Sequence, residues 1–291
     1  MTTSAPGKMV LIGDYAVVGG HRALVAAVDR RAVGRKVPAG EGAPSEVVTG
    51  VLGRIHSPMV AADEVLVDTS TFVDPERGKL GVGSSAAVAV VTAALGTGRG
   101  DESTFKAALE GHRDANDGQG SGIDVAASFY GGVIATRAQP SEVHPCPSRI
   151  RDLHVSVLYA GAPASTKSLV AACKSSAHWD KWMNVLGPLA DQGIDAWYKQ
   201  DRTRFMGIVA RYGRAMAQMG RDAGVEIVTD TIQAIMDAAA KAGGAAKPSG
   251  AGGGDIVVMF SPDPDAGRQV AEQTQTDLLD LSIDPYGLRR G

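Results

Sequence analysis

Lys79-Leu80-Gly81-Val82-Gly83-Ser84-Ser85-Ala86-Ala87-Val88 decides the reading of this chain. Two glycines one residue apart let the backbone turn tightly and come close to a bulky ligand. Ser84 then opens an apolar run to Leu95, closed by Gly96, which predicts a helix. The free N–H groups of Ser84, Ser85 and Ala86 and the helix dipole favour an anion, phosphate above all. A serine hydroxyl in this place suits Mg2+ carried on a nucleotide, which makes Ser85 the candidate metal ligand. Taken alone, the stretch fits equally a serine-capped glycine turn ahead of a buried helix. Gly81-x-Gly83-x-x-Ala86 also matches the dinucleotide fingerprint loosely, but that fingerprint follows a buried strand. Here the charged, turn-prone Asp74-Pro-Glu-Arg-Gly-Lys79 precedes it, and no Gly-x4-Gly-Lys-Ser/Thr loop occurs.

Outward from this loop the patterns predict a mixed α/β (α+β) chain. Upstream, Met9–Ile12, Ala16–Val18, Leu24–Val28, Glu46–Val51 and Glu64–Val67 read as short strands or apolar runs. Downstream come helices over Glu102–Asn116 and Ile123–Phe129, and a strand over Val133–Thr136. The segment Gln139–Ser148 carries Pro140, Pro145 and Pro147 and reads as a linker between two domains, 1–150 and 151–291. Beyond it, His154–Tyr159 and Ile256–Phe260 read as strands. Helical patterns cover Lys167–Lys174, Trp179–Trp197, Arg202–Met219, Asp230–Ala242 and Asp265–Leu279. The glycines cluster around Gly7–Gly20, Gly81–Gly83, Gly118–Gly122 and Gly250–Gly254.

Composition narrows the function classes. With 29 Lys+Arg against 32 Asp+Glu and no run of like charge, nothing points to a nucleic-acid or membrane-surface partner. A local basic pocket for a small anion stays compatible with this balance. Cys146 and Cys173 are the only cysteines, too few for a disulfide framework or a zinc site. No apolar run approaches the ~20 residues that cross a bilayer. The N-terminal stretch Met9–Val18 lacks a basic lead-in and is broken by Gly13 and Asp14, so a cytoplasmic location is expected.

Four blocks in order resemble the GHMP kinase superfamily. Ala5-Pro-Gly-Lys-Met-Val-Leu-Ile-Gly-Asp-Tyr-Ala-Val-Val-Gly-Gly-His21 is similar to its first motif and Gly81-Val-Gly-Ser-Ser-Ala-Ala87 to its phosphate loop. Gly120-Ser-Gly-Ile-Asp-Val-Ala126 resembles the catalytic-aspartate segment of its mevalonate and phosphomevalonate kinases. Lys247-Pro-Ser-Gly-Ala-Gly-Gly-Gly-Asp255 resembles its third, glycine-rich motif. The resemblance implies an N-terminal domain like ribosomal protein S5 domain 2 and a C-terminal ferredoxin-like domain, with ATP and Mg2+ as cofactors. Lys79 before the loop, Tyr15 after Asp14, and Asp255 after the glycines resemble the phosphomevalonate kinases within it. The chain departs from the pattern at Asp14, where Glu is commoner, and at Val82, where Leu is. A third departure is His112-Arg-Asp-Ala-Asn116, where mevalonate kinases carry a metal-binding Glu.

On this resemblance Lys8 and Asp124 are the expected catalytic pair: Asp124 orients or deprotonates the acceptor oxygen, and Lys8 neutralises the transferring phosphate. Lys79, Gly81, Gly83, Ser84, Ser85 and Ala86 would hold the nucleotide phosphates. Tyr15, His21, Ser121, Ser249, Gly250 and Ala251 join Lys8 and Asp124 as candidate substrate contacts. Each has a plainer alternative: Asp124 as a helix N-cap, Lys8 and Lys79 as solvated turn lysines, Ser249–Gly254 as a flexible loop. His112, His154 and His178 read as surface or core residues, and Trp179, Trp182 and Trp197 as helix-packing residues. The expected acceptor is 5-phosphomevalonate, with mevalonate as the alternative and a homodimer left open. A catalytically silent ligand sensor is the reading from another class, opposed by the presence of Lys8, Ser85 and Asp124.

Overall fold

The N-terminal strands run much longer than the glycine punctuation suggests. In the computed structural model, which describes residues 2–138, 142–161 and 164–291, β1 spans Thr2–Ile12 and β2 spans Arg22–Lys36. Ala16–Val18, expected as strand, falls in a 3-10 turn over Ala16–Gly19, because Tyr15 and Gly20 both take positive φ angles and reverse the chain. The chain divides into two compact units. One holds Met1–Met9, Val25–Pro145 and Ser282–Gly291, and the other holds Val10–Leu24 and Cys146–Leu281. β1 and β2 each contribute residues to both units.

In the first unit, α1 (Glu46–Leu52) replaces the strand read from Val47, Val48 and Val51. Ser45 caps it by accepting the Val48 N–H at 3.3 Å, and Val48, Val51 and Leu52 are buried. β3 (Val65–Asp68) pairs with β2, and β4 (Val73–Asp74) pairs with β5 (Gly78–Lys79) in a tight hairpin. The helices α2 (Ser84–Thr97), α3 (Glu102–Asp114) and α4 (Ile123–Tyr130) follow as read. α2 is apolar on nearly every side and is enclosed by α1, α3 and α4. β6 (Val133–Arg137) and β7 (Val143–Cys146) complete a sheet ordered β12-β1-β2-β6-β7 with β3 beside β2, β12 being the strand Arg289–Arg290 that closes the chain. Of the expected linker, Gln139, Pro140 and Ser141 lie outside the described residues. Val143–Cys146 is an edge strand, where the missing N–H of Pro145 is tolerated.

The second unit begins with β8 (His154–Gly161), followed by α5 (Thr166–Ser175), α6 (Trp179–Tyr198), α7 (Arg202–Ala223) and α8 (Asp230–Lys241). Then come β9 (Ala245–Pro248), β10 (Asp255–Ser261), α9 (Ala266–Thr274) and β11 (Asp277–Leu279). The helix expected to run to Leu279 thus stops at Thr274. The strands form an antiparallel sheet in the order β11-β8-β10-β9, the ferredoxin-like arrangement of first strand between third and fourth. Leu158, Ile232, Ile235, Val257, Met259 and Val270 form a core between this sheet and helices α8 and α9. Trp182 and Trp197 are buried packing residues whose indole N–H groups donate to Asp222 and to the Pro147 carbonyl.

The last ten residues return to the first unit because Arg31 gathers them. Its guanidinium pairs with Asp284 at 2.5 Å and donates to the carbonyls of Tyr286, Gly287 and Ser4. β12 then pairs with β1 at Thr3 and Ser4.

Candidate phosphate-binding site

The phosphate loop is built by sterics before chemistry. The charged lead-in folds as the β4–β5 hairpin, whose turn is fixed by Asp74: its carboxylate accepts the Glu76 and Arg77 N–H groups and pairs with the Arg77 guanidinium at 2.7 Å. This leaves Lys79 exposed on β5, one residue before the buried Leu80. Gly83 is the N-cap of α2 in a left-handed conformation, with no side chain capping the helix. The orphan N–H groups of the first turn are thus not occupied by a capping side chain, as an anion site requires. Ser84 is half-buried and Ser85 exposed.

Lys8 belongs to the same construction. Its backbone N–H donates to the Val82 carbonyl at 2.7 Å, tying β1 to the loop. A Cβ on Gly83 would lie 3.0 Å from Lys8 Cγ, so the lysine stem runs across the face of that glycine. Gly7 permits this approach, since a Cβ there would stand 2.3 Å from the Val82 oxygen. Lys8, placed by the first motif, and Gly83, placed by the second, therefore adjoin each other.

Ser85 Oγ lies 2.8 Å from Nε2 of His112 on α3. His112 is buried, and the side chain of Asn116 donates to its carbonyl. From sequence alone His112 reads as an ordinary surface or core histidine. The signal that singles it out is its position in the stretch where the resembled enzymes carry a metal-binding Glu.

Asp124 sits in the first turn of α4, but Gly122, again left-handed, is the N-cap. Among the described residues the carboxylate accepts the adjacent Val125 N–H, at 2.9 Å, so Asp124 does not serve as the cap, and it is half-buried. Ser121 precedes the cap and is also half-buried.

The remaining candidates lie in the second unit, where Tyr15, Ser249, Gly250 and Ala251 join the segment Val10–Tyr15 to the glycine loop. Asp14 and Lys247 form an ion pair at 2.6 Å with both side chains wholly buried. The Gly250 N–H donates to Asp14 Oδ1 at 2.5 Å, the Tyr15 hydroxyl to the Ala251 carbonyl at 2.6 Å, and the Val10 N–H to Ser249 Oγ at 2.8 Å. Burial, then the neighbouring Cys173 and Asp14, push the Tyr15 phenol above its ordinary value, which keeps it a neutral donor. His21 is half-buried, its ring against Gly187 of α6, where a Cβ would meet it at 2.2 Å.

Comparison with known proteins agrees with this architecture. The sequence pattern of the family described as GHMP kinases C terminal matches residues 209–277. The phosphomevalonate kinase of Streptomyces sp. (strain CL190) is 28% identical, covering 97% of this chain and 96% of that one. The mevalonate kinase of Aeropyrum pernix is 26% identical over 98% of this chain and 97% of its own. Among solved structures, Streptococcus pneumoniae phosphomevalonate kinase in complex with phosphomevalonate and AMPPNP superimposes with a TM-score of 0.82. That likeness, at 14% identity over 97% of this chain and 99% of that one, is a likeness of fold.

Proposed function

We propose that this chain, whose residues 209–277 are a GHMP kinase C-terminal domain, is a small-molecule phosphotransferase that moves the γ-phosphoryl group of ATP to 5-phosphomevalonate. The products are ADP and 5-diphosphomevalonate: the bond to the ADP oxygen breaks as one forms to the acceptor phosphate oxygen. The observation that carries the reading is the joint placement of Lys8 and the uncapped N-terminus of α2 around Gly83. Phosphoryl transfer needs little covalent chemistry from the protein; it needs donors and cations held where charge develops. The N–H groups of the α2 first turn supply donors, and Lys8 supplies a cation beside them.

Mg2+ fits this donor set in a limited way. Ser85 is exposed and offers one hydroxyl, which also contacts His112, and among the described residues no group of three or more His, Cys, Asp or Glu gathers that could hold a metal ion. Mg2+ usually keeps waters and rides on substrate phosphates with few protein ligands, so one hydroxyl is an adequate contribution. When bound, the ion would neutralise phosphate charge. Asp124, free of the capping duty, is available to orient the acceptor.

The choice of acceptor is supported by Lys79, exposed beside the loop, which offers a cation for a phosphate that mevalonate lacks. The full-length alignment with the Streptomyces phosphomevalonate kinase supports the same choice. The alignment with the Aeropyrum pernix mevalonate kinase keeps mevalonate as the second acceptor to test. ADP release from ATP and Mg2+ with each acceptor in turn decides it. Release with phosphomevalonate is expected; release with mevalonate alone overturns the choice, and release with neither overturns the kinase reading for these substrates.

A further inference from the structure

The loop Ser249–Gly254 contains four glycines, all with left-handed φ angles, a composition that by itself leaves a chain loosely ordered. Yet each of its first three residues is tied to the segment Val10–Tyr15. Ser249 accepts through its hydroxyl from the Val10 N–H, Gly250 donates through its amide to Asp14, and Ala251 accepts through its carbonyl from the Tyr15 hydroxyl. The far end is held by the Gly253 N–H on the Ile227 carbonyl at 2.8 Å.

Beneath these contacts lies the Asp14–Lys247 pair. Lys247 Nζ also donates to the carbonyls of Pro248 at 2.5 Å and Val10 at 3.2 Å, and Tyr212 donates its hydroxyl to the Asp14 carbonyl at 2.6 Å. Desolvation largely offsets the attraction within such a buried pair, so it is a poor source of net stability. What it does supply is geometry: the carboxylate that faces Lys247 with one oxygen presents the other to the Gly250 amide. Side chains with no exposure cannot touch a ligand, and Tyr15 and Ser249 retain only 3% and 6%.

We infer that Asp14, Tyr15, Lys247 and Ser249 are a clamp that fixes the backbone of the glycine loop, acting as positioning residues rather than as substrate contacts. The functional consequence rests on the proposed kinase reading, while the clamp itself does not. An open loop would have to order each time a ligand bound, and the cost would appear in binding.

Tyr15→Phe is the sparing test, because it keeps the ring and removes one donor. Lys247→Met strands the Asp14 charge and can unfold the chain, so it is paired with Asp14→Asn/Lys247→Met, which removes both charges. Hydrogen exchange, followed by mass spectrometry on the ligand-free protein, is read in the peptide covering residues 249–254 and in a control peptide from α8. In Tyr15→Phe, exchange in the loop should quicken by about tenfold while α8 and the melting temperature hold, and kcat/KM should fall by a similar factor. The double variant should fold, with loop exchange again faster than wild type. Unchanged loop exchange in both variants overturns the clamp. So does acceleration spread equally over loop and α8, which would make the residues merely structural. If the loop loosens as expected but the wild-type protein phosphorylates neither acceptor, the clamp stands and the kinase reading falls.

Discussion

The hydroxyl of Ser85 and the imidazole Nε2 of His112 lie 2.8 Å apart, joining the first turn of α2 to the last turn of α3. The contact fixes where the Ser85 oxygen points. With Nε2 as acceptor, the serine hydroxyl donates to the ring and the oxygen lone pairs face away from it.

Replacing Ser85 with Ala should therefore leave phosphate binding to the backbone N–H groups but weaken the use of metal. Calorimetric titration of an ATP analogue at varied Mg2+ should show the Mg2+-dependent gain in affinity reduced, by roughly tenfold if the lost contact is worth about 1.5 kcal/mol. An unaltered Mg2+ dependence would remove Ser85 from the metal site.

Asp124→Asn isolates the charge of that carboxylate. Gly122, not Asp124, caps α4, so the helix and the melting temperature should hold. Turnover should nevertheless drop by roughly 10²-fold or more if the carboxylate orients or deprotonates the acceptor. A variant at the wild-type rate would leave Asp124 with only its bond to the Val125 N–H.

Lys79→Met keeps the apolar stem and removes the charge. A lost charge-assisted hydrogen bond costs roughly 1.5–3 kcal/mol, or one to two orders of magnitude in kcat/KM. If Lys79 serves the acceptor phosphate, that loss should appear in phosphomevalonate kinetics while ATP affinity without acceptor stays level. An equal fall in ATP affinity would move Lys79 to the nucleotide.

Arg31→Lys tests what holds the last ten residues. A lysine cannot span Asp284, Gly287, Tyr286 and Ser4 as the planar guanidinium does. Burial opposes the charge on Arg31 and Asp284 supports it, so the pair is a tightly placed one. Losing carbonyl bonds of this set should cost about 1–3 kcal/mol in denaturant melts and expose residues 282–291 to protease. Unchanged protease resistance would show that β12 pairing alone suffices.

Legibility followed the range of the forces. α2 was readable because its small apolar residues run unbroken from a glycine turn to a glycine stop. The β4–β5 hairpin was readable as a turn because Asp74, Pro75 and Gly78 act locally. Glu46–Val51 reads as a strand because its β-branched residues favour one, but the Ser45 cap and packing against α3 make it helical. β9 has no local signal because Ala245, Ala246, Lys247 and Pro248 are weak strand formers, held in the sheet by backbone pairing with β10 and by burial. The ties from residues 10–15 to residues 247–251 span more than 230 positions, and no local pattern announces them. Lys8 and Gly83 were legible only through their motifs, since nothing in either stretch says that they meet.

Competition between the two acceptors in one vessel tests the central claim most directly. With equal phosphomevalonate and isotopically labelled mevalonate, limiting ATP and Mg2+, the ratio of products read by mass spectrometry is the ratio of the two kcat/KM values. The account predicts that unlabelled diphosphomevalonate exceeds labelled phosphorylated product by about tenfold or more, the worth of a single charge-assisted contact to the acceptor phosphate. An excess of labelled product would contradict it.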